Sequence, residues 1–171
     1  MSIHPYQNIP PAIDKTVFLA SNAVVAGDVT LKRGVNVWFH AVLRGDMAPI
    51  FVDEDTNIQD GAIVHVNTDV PTRIGKRVTV GHGAIIHGAT VGDDALIGMG
   101  SILLDRSVVE AGAMVAAGTI VPPGKTVPAG MLAMGMPMKI VRPVSETETA
   151  HNRKNVEAYL HLAKGYGSDA K

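Results

Sequence analysis

Cysteine is absent from this 171-residue chain, so neither disulfides nor thiolate metal ligands can hold it together. Aromatic residues make up 4% of it, with one tryptophan in all. A core packed around large rings is therefore excluded, although 46% of residues are hydrophobic. The core has to come from Val, Ile, Leu, Ala and Met. Charge of one sign is missing too: the net charge is −1 with acids and bases interspersed, which argues against a nucleic-acid or membrane-surface partner. No apolar run approaches the roughly 18 residues that would span a bilayer. The opening Met1-Ser2-Ile3-His4-Pro5 lacks the basic and apolar blocks of a signal peptide. A soluble, cytoplasmic protein is expected.

What the chain does have is a period of six. Val91, Ile97, Leu103, Val109, Val115, Val121 and Val127 follow one another at every sixth position. The spacing appears upstream at Val17, Ala23, Val29, Val35, Ala41 and Met47, resumes at Val52, Ile58 and Val64, and again at Ile74, Val80 and Ile86. It slips by one residue between Met47 and Val52 and between Ile86 and Val91, and four extra residues intervene between Val64 and Ile74. Neither a helix nor a continuous strand has this period. A strand turned every six residues does, and three such faces make one triangular coil of about 18 residues whose inward side chains stack coil on coil. Gly75, Gly81, Gly92 and Gly98, each directly after an inward residue, are expected to serve the tight corners.

The [LIV]-G-x-x-x-x pattern resembles the hexapeptide-repeat family, which implies an all-β solenoid, a left-handed parallel β-helix. The coils are expected to fill 1–143. Segment 144–171 is expected to form a helix packed on the solenoid: Ser145-Glu146-Thr147-Glu148 reads as a capping box, and Val156, Tyr159, Leu160 and Leu162-Ala163 form an apolar face. That helix is expected to end before Gly165.

Three of the seven histidines, His65, His82 and His87, fall in the central coils. His65 follows Val64 and His87 follows Ile86, so the repeat places them at equivalent positions one rung, about 4.8 Å, apart. Two imidazoles there can share one metal ion. His82, two places after Val80, leaves a different side of the triangle. Around a threefold axis, His82 of one subunit could meet His65 and His87 of its neighbour. Three imidazoles would leave a fourth position for water, as in a catalytic zinc site.

The segments Asp60-Gly61-Ala62-Ile63-Val64-His65 and Gly81-His82-Gly83-Ala84-Ile85-Ile86-His87-Gly88, with Arg44-Gly45-Asp46 and Asn57-Ile58-Gln59-Asp60, resemble the signature of γ-class carbonic anhydrases, in particular their short bacterial homologues. The likeness runs from about residue 10 to about 143. It implies a homotrimer with Zn²⁺ (Fe²⁺ or Co²⁺ as alternatives) on His65, His82 and His87, and hydration of CO₂ to bicarbonate by a metal-bound hydroxide. By the same resemblance Gln59 positions the water or bicarbonate, Arg44 and Asp60 pair across neighbouring subunits, and Asp46 and Asn57 support that network. Tyr159 closes over the pocket or packs against the coils. The family's best-studied members carry an acidic loop after the first histidine that supplies a glutamate proton shuttle. Here Val66-Asn67-Thr68-Asp69-Val70-Pro71-Thr72-Arg73 offers one carboxylate, Asp69, and no glutamate. The alternatives are an acyl-CoA thioesterase or acyltransferase on the same scaffold, and a non-catalytic, metal-stabilised trimer.

Overall fold

The computed structural model describes residues 2–168; the last residues of the expected C-terminal segment, 169–171, lie outside the described residues. The chain winds into a left-handed parallel β-helix of about seven turns, followed by one helix. No helix is long and apolar enough to cross a membrane.

Three columns of inward side chains line the coils. The first face stacks Ile13, Leu31, Val52, Ile74, Val91, Val109 and Val127 in register. The second stacks Leu19, Val37, Ile58, Val80, Ile97, Val115 and Ala133. The third stacks Val25, Leu43, Val64, Ile86, Leu103 and Val121. Almost all are fully buried and form one continuous core.

In the first coils the expected phase is two residues early. Val29, Val35, Ala23 and Ala41 are buried, yet the positions in register with Val52, Ile58 and Val64 are Leu31, Val37, and Val25 with Leu43. Both the large inward residue and the residue two before it face the core, as Ala62 before Val64 and Ala84 before Ile86 also do. An aliphatic side chain at either position satisfies the period, so the spacing alone does not choose between them. Met47, expected inward, is 48% exposed. It lies in the long strand Val42–Val52, which crosses a corner beside the strand Val24–Leu31 with a break in register.

The true phase locates the irregularities. Leu43 to Val52, Val64 to Ile74 and Ile86 to Val91 all cross from the third face to the first. Every departure from six in these coils therefore falls at one corner of the triangle.

The glycines after inward residues act differently from expectation. A β-carbon on Gly98 would stand 2.5 Å from the Ala117 nitrogen, and one on Gly81 2.7 Å from the Met99 nitrogen. Their role is close approach of one coil to the next, and the left-handed corner conformations belong to other residues, such as His40, Asp55, Arg77 and Gly83.

The helix Glu146–Ser168 lies on the second face of its own chain, against Phe18–Leu19, Asn36–Val37, Asn57–Ile58 and Thr79–Val80. The capping box forms: the Glu148 nitrogen donates to Ser145 Oγ at 3.2 Å, and the Ser145 nitrogen donates to Glu148 Oε2 at 2.9 Å. Arg142 adds a two-pronged contact to Glu148, 2.8 Å on each side. Val156 and Ala163 are buried, but Leu162 is exposed, which narrows the expected apolar face. The helix passes Gly165 without a break. That glycine takes no left-handed conformation, and continuing the helix brings the Tyr166 ring edge-on to Trp38 and Phe39.

Candidate functional site

His65 and His87 end the strands Ile63–His65 and Ile85–His87 and are registered partners on adjacent coils. Because Val64 and Ile86 are anchored inward, the next side chain on each strand faces out at the same height. The ring centroids are 5.1 Å apart. His65 Nδ1 and His87 Nε2 converge to 3.2 Å.

The far nitrogens of both rings meet carboxylates. His65 Nε2 lies 3.0 Å from Asp46 Oδ1, and His87 Nδ1 lies 2.6 Å from Asp105 Oδ1. Arg44 donates to the other oxygen of Asp46, and Asn67 Nδ2 donates to Asp105 Oδ2 at 2.8 Å. Partial burial pushes the Asp46 carboxyl up, but the hydrogen bonds from His65 and Arg44 outweigh it and leave the group below its ordinary value. The Asn67 hydrogen bond, against a desolvation that raises it and with help from His87, likewise holds Asp105 down. Both carboxylates are charged at neutral pH and ready to accept from imidazole N–H groups.

This arrangement fits a cation. Two nitrogens bound tetrahedrally at about 2.0–2.1 Å stand about 3.3 Å apart, close to the 3.2 Å between His65 Nδ1 and His87 Nε2. With the outer nitrogens donating to Asp46 and Asp105, the two inner nitrogens present lone pairs to one another, and only a proton or a cation between them relieves that repulsion. Metal-bound histidines characteristically give their other N–H to a carboxylate. Among the described residues, no group of three His, Cys, Asp or Glu side chains converges on one point within a single chain. Two donors are in place, and a third has to come from outside this cluster.

His82 stands at the other end of the third face, at the corner that precedes it. Its Nδ1 lies 2.8 Å from Asp60 Oδ2, and its Nε2 lies 3.3 Å from the Tyr159 hydroxyl. Tyr159 both packs edge-on against Trp38, 5.2 Å between centroids, and reaches the pocket. Burial and the nearby Asp60 charge push its hydroxyl pKa up, so it stays protonated at neutral pH. Gln59 donates to Asn57 Oδ1 at 3.0 Å, and Asn57 donates to Thr79 Oγ1 at 3.2 Å. Both amides are buried, so each is fixed in orientation. Gln59, Thr79, His82, Met99, His151 and Tyr159 line an open cavity of about 350 Å³.

The expected residues thus divide into two clusters. Arg44, Asp46, His65 and His87 meet at one corner; Asn57, Gln59, Asp60, His82 and Tyr159 meet at another. Within the chain Arg44 pairs with Asp46 and Asp60 with His82. Three residues of these clusters carry no assignment from the sequence: Asp105, its partner Asn67, and His151 on the pocket wall. Asp105 could have been found by extending the third-face column one coil beyond His87 and reading two places past Leu103.

Residues 71–105 match the model of the hexapeptide repeat of succinyl-transferase. The chain is 44% identical over 164 residues to a carbonic anhydrase of Geobacillus kaustophilus, covering 96% of this chain and 90% of that one. It is 45% identical over 165 residues to gamma carbonic anhydrase 2, mitochondrial, of Arabidopsis thaliana, covering 93% of this chain; the chain spans 59% of that relative's length. It is 38% identical over 162 residues to carnitine operon protein CaiE of Escherichia coli, covering 95% of this chain and 83% of the relative. Among solved structures, a hexapeptide transferase family protein from Anaplasma phagocytophilum superimposes with a TM-score of 0.93 at 44% identity, covering 96% of this chain and 98% of that one.

Proposed function

We propose, for a chain that belongs to the γ-class carbonic anhydrase-like family of hexapeptide-repeat proteins, that it hydrates CO₂ reversibly to bicarbonate at a metal centre shared between subunits of a homotrimer. His65 and His87 of one subunit and His82 of a neighbour hold the cation, Zn²⁺ in the first instance, with Fe²⁺ or Co²⁺ as the alternatives. The observation that carries this reading is the pair of imidazole nitrogens 3.2 Å apart, each with its opposite nitrogen on a carboxylate. A divalent ion bound there supplies Lewis acidity that makes a nucleophile of water at neutral pH.

The chain's own groups do the rest. Asp46 and Asp105 keep the two imidazoles in the tautomers that aim lone pairs inward. Gln59 spends its Nε2–H on Asn57, which leaves its carbonyl oxygen to accept from the attacking water and so orient it. Arg44 and Asp60 pair across the subunit boundary and bring the His82 corner of one coil stack onto the His65–His87 corner of the next. The excursion after His65 carries one carboxylate, Asp69, and no glutamate, so hydration is expected to be slow unless another group takes up the proton.

A second reading, hydrolysis or transfer of an acyl thioester, draws support from an apolar trough. A cavity of about 590 Å³ lined by Leu96, Met114, Ala116, Leu132 and Met134 shares Leu96 and His151 with the wall of the His82 pocket. CO₂ needs no such trough; an acyl chain would use it. Purified protein loaded with Zn²⁺ or Co²⁺ and assayed side by side for CO₂ hydration and for hydrolysis of an acyl-CoA panel separates the two. Hydration at a metal-dependent rate supports the first reading; thioester cleavage without hydration replaces it.

A further inference from the structure

We infer that Asp105 is a positioning residue for His87, and that the excursion after His65 exists in this chain to lock Asp105 in place through Asn67. The inference rests on the metal-binding reading of His65 and His87 and extends it to residues that neither the repeat nor the resemblance singles out.

Asp105 sits one coil beyond His87 at the corner where the repeat is irregular. Its two oxygens are divided: Oδ1 takes His87 Nδ1 at 2.6 Å, and Oδ2 takes Asn67 Nδ2 at 2.8 Å. The orientation of the Asn67 amide is itself fixed, because its Oδ1 accepts from the Thr68 nitrogen at 2.8 Å. That leaves the NH₂ end for Asp105. Asn67 is in turn held by a tight hairpin: the Val70 nitrogen donates to the Asn67 carbonyl at 2.9 Å, and the Asn67 nitrogen donates back at 3.3 Å. The residues that interrupt the period between Val64 and Ile74 thus have a task. They carry a hydrogen-bond donor across two coils to a carboxylate that touches a ligand ring.

A third segment is cut to fit. A β-carbon on Gly88 would stand 2.7 Å from Asp105 Oδ1 and 2.9 Å from Val70 Cγ1, and Gly88 has φ +58°. Any side chain there would push Asp105 off His87. The shortened step from Ile86 to Val91 brings the backbone of Gly88 into this gap, and the Arg106 nitrogen donates to its carbonyl at 2.7 Å. Excursion, glycine and carboxylate converge on one ring nitrogen.

The chemical consequence follows from the imidazole. Which of its nitrogens carries the proton is set by the hydrogen bond the other makes. With Nδ1–H given to Asp105, His87 Nε2 is the lone-pair site and faces His65 Nδ1. Without the carboxylate the ring can turn or adopt the other tautomer, and the donor pair is lost.

The test uses the full-length protein with Co²⁺ as the probe, in wild type, Asp105→Ala, Asp105→Asn and Asn67→Ala. Outer partners of metal-bound histidines are worth about 10- to 100-fold in metal affinity. Asp105→Ala is expected to lose that factor in a chelator-competition titration and to alter the visible Co²⁺ spectrum. Asp105→Asn keeps one oxygen that accepts Nδ1–H but turns an NH₂ toward the Asn67 donor, and is expected to recover part of the loss, no more than Asn67→Ala retains. Asn67→Ala, a surface change that spares the coils, falls between and serves if Asp105→Ala does not fold. In parallel, ¹⁵N spectra of the histidine rings in metal-free protein read the tautomer directly. His87 is expected as Nδ1–H in wild type and Asp105→Asn, and not in Asp105→Ala. Unchanged Co²⁺ affinity and an unchanged His87 tautomer in both Asp105→Ala and Asn67→Ala overturn the proposal. A tautomer that depends on Asp105 in a protein that binds no Co²⁺ upholds the positioning role and brings down the metal reading alone.

Discussion

Mixing two inactive variants tests whether the site is shared between chains. His82 and His87 flank the strand Ile85–His87 at opposite ends. From Ala84 to His87 the chain advances about 10 Å, at roughly 3.3 Å per residue. Two ligand nitrogens on one ion stand about 3.3 Å apart, whereas within one chain the His82 ring is held at the other corner by Asp60 and Tyr159, and no three His, Cys, Asp or Glu side chains converge among the described residues. His65→Ala and His82→Ala should each lose a ligand and bind metal poorly when assembled alone. Mixed in equal amounts, dissociated and reassembled, a cyclic trimer of random composition has His82 on one side of an interface and the intact His65–His87 pair on the other in about one interface of four. About a quarter of wild-type Co²⁺ stoichiometry, and the same fraction of activity, should therefore return. Differently tagged subunits, co-purified after reassembly, establish that exchange took place. No recovery despite exchange refutes the shared site. So does a single variant that already holds one tight metal per chain.

Three further outcomes follow from packing and charge. Gly98→Ala puts a β-carbon 2.5 Å from the Ala117 nitrogen and 2.6 Å from the Val115 oxygen, both backbone atoms of the neighbouring coil; overpacking of this kind costs about 1–3 kcal/mol, read as a lower midpoint in urea or heat. Leu103→Ala empties a fully buried place in the third-face column and should cost about 2.7–5 kcal/mol while the remaining protein keeps its metal stoichiometry, because Leu103 points away from the histidines. The Glu148 carboxyl is held far below its ordinary value of 4.5, first by the Arg142 hydrogen bond and then by those from Ser145. A depressed acid stabilises fully above its unfolded value and loses that contribution as pH falls below it. Docking of the helix, followed through the emission of Trp38 beneath Tyr159 and Tyr166, should weaken on acidification below about pH 4.5, and Glu148→Gln should remove that acid dependence.

Much of this was written in the chain. The sixth-residue rule from Val91 to Val127 matches inward, registered positions one for one, because each coil there has three equal faces. The pairing of His65 with His87 followed from the same ruler. The phase of the first coils did not, since Val29 and Leu31 are both buried and both aliphatic; only pairing with a later coil decides which is the column. The reach of the helix past Gly165 was hidden because its reward, Tyr166 against Trp38 and Phe39, lies more than a hundred residues away in sequence. Asp105 was easy to pass over for a related reason. A carboxylate near a corner is commonplace, and its meaning comes from a ring on the previous coil and an amide two coils back.

The clustering of irregular steps at one corner has a consequence for how such a protein can change. The stacked rungs act as a fixed gauge that keeps His65 and His87 one step apart whatever hangs from the vertex beside them. The exposed tip at 67–69 can be lengthened, shortened or exchanged without sliding a single rung, because Val64 and Ile74 are each clamped by their own columns. The spacing of the two histidines and the equipment outside them are therefore separately editable. The hairpin that carries Asn67 to Asp105 is one fitting for this socket, and a lineage could exchange it for another while the gauge stayed true.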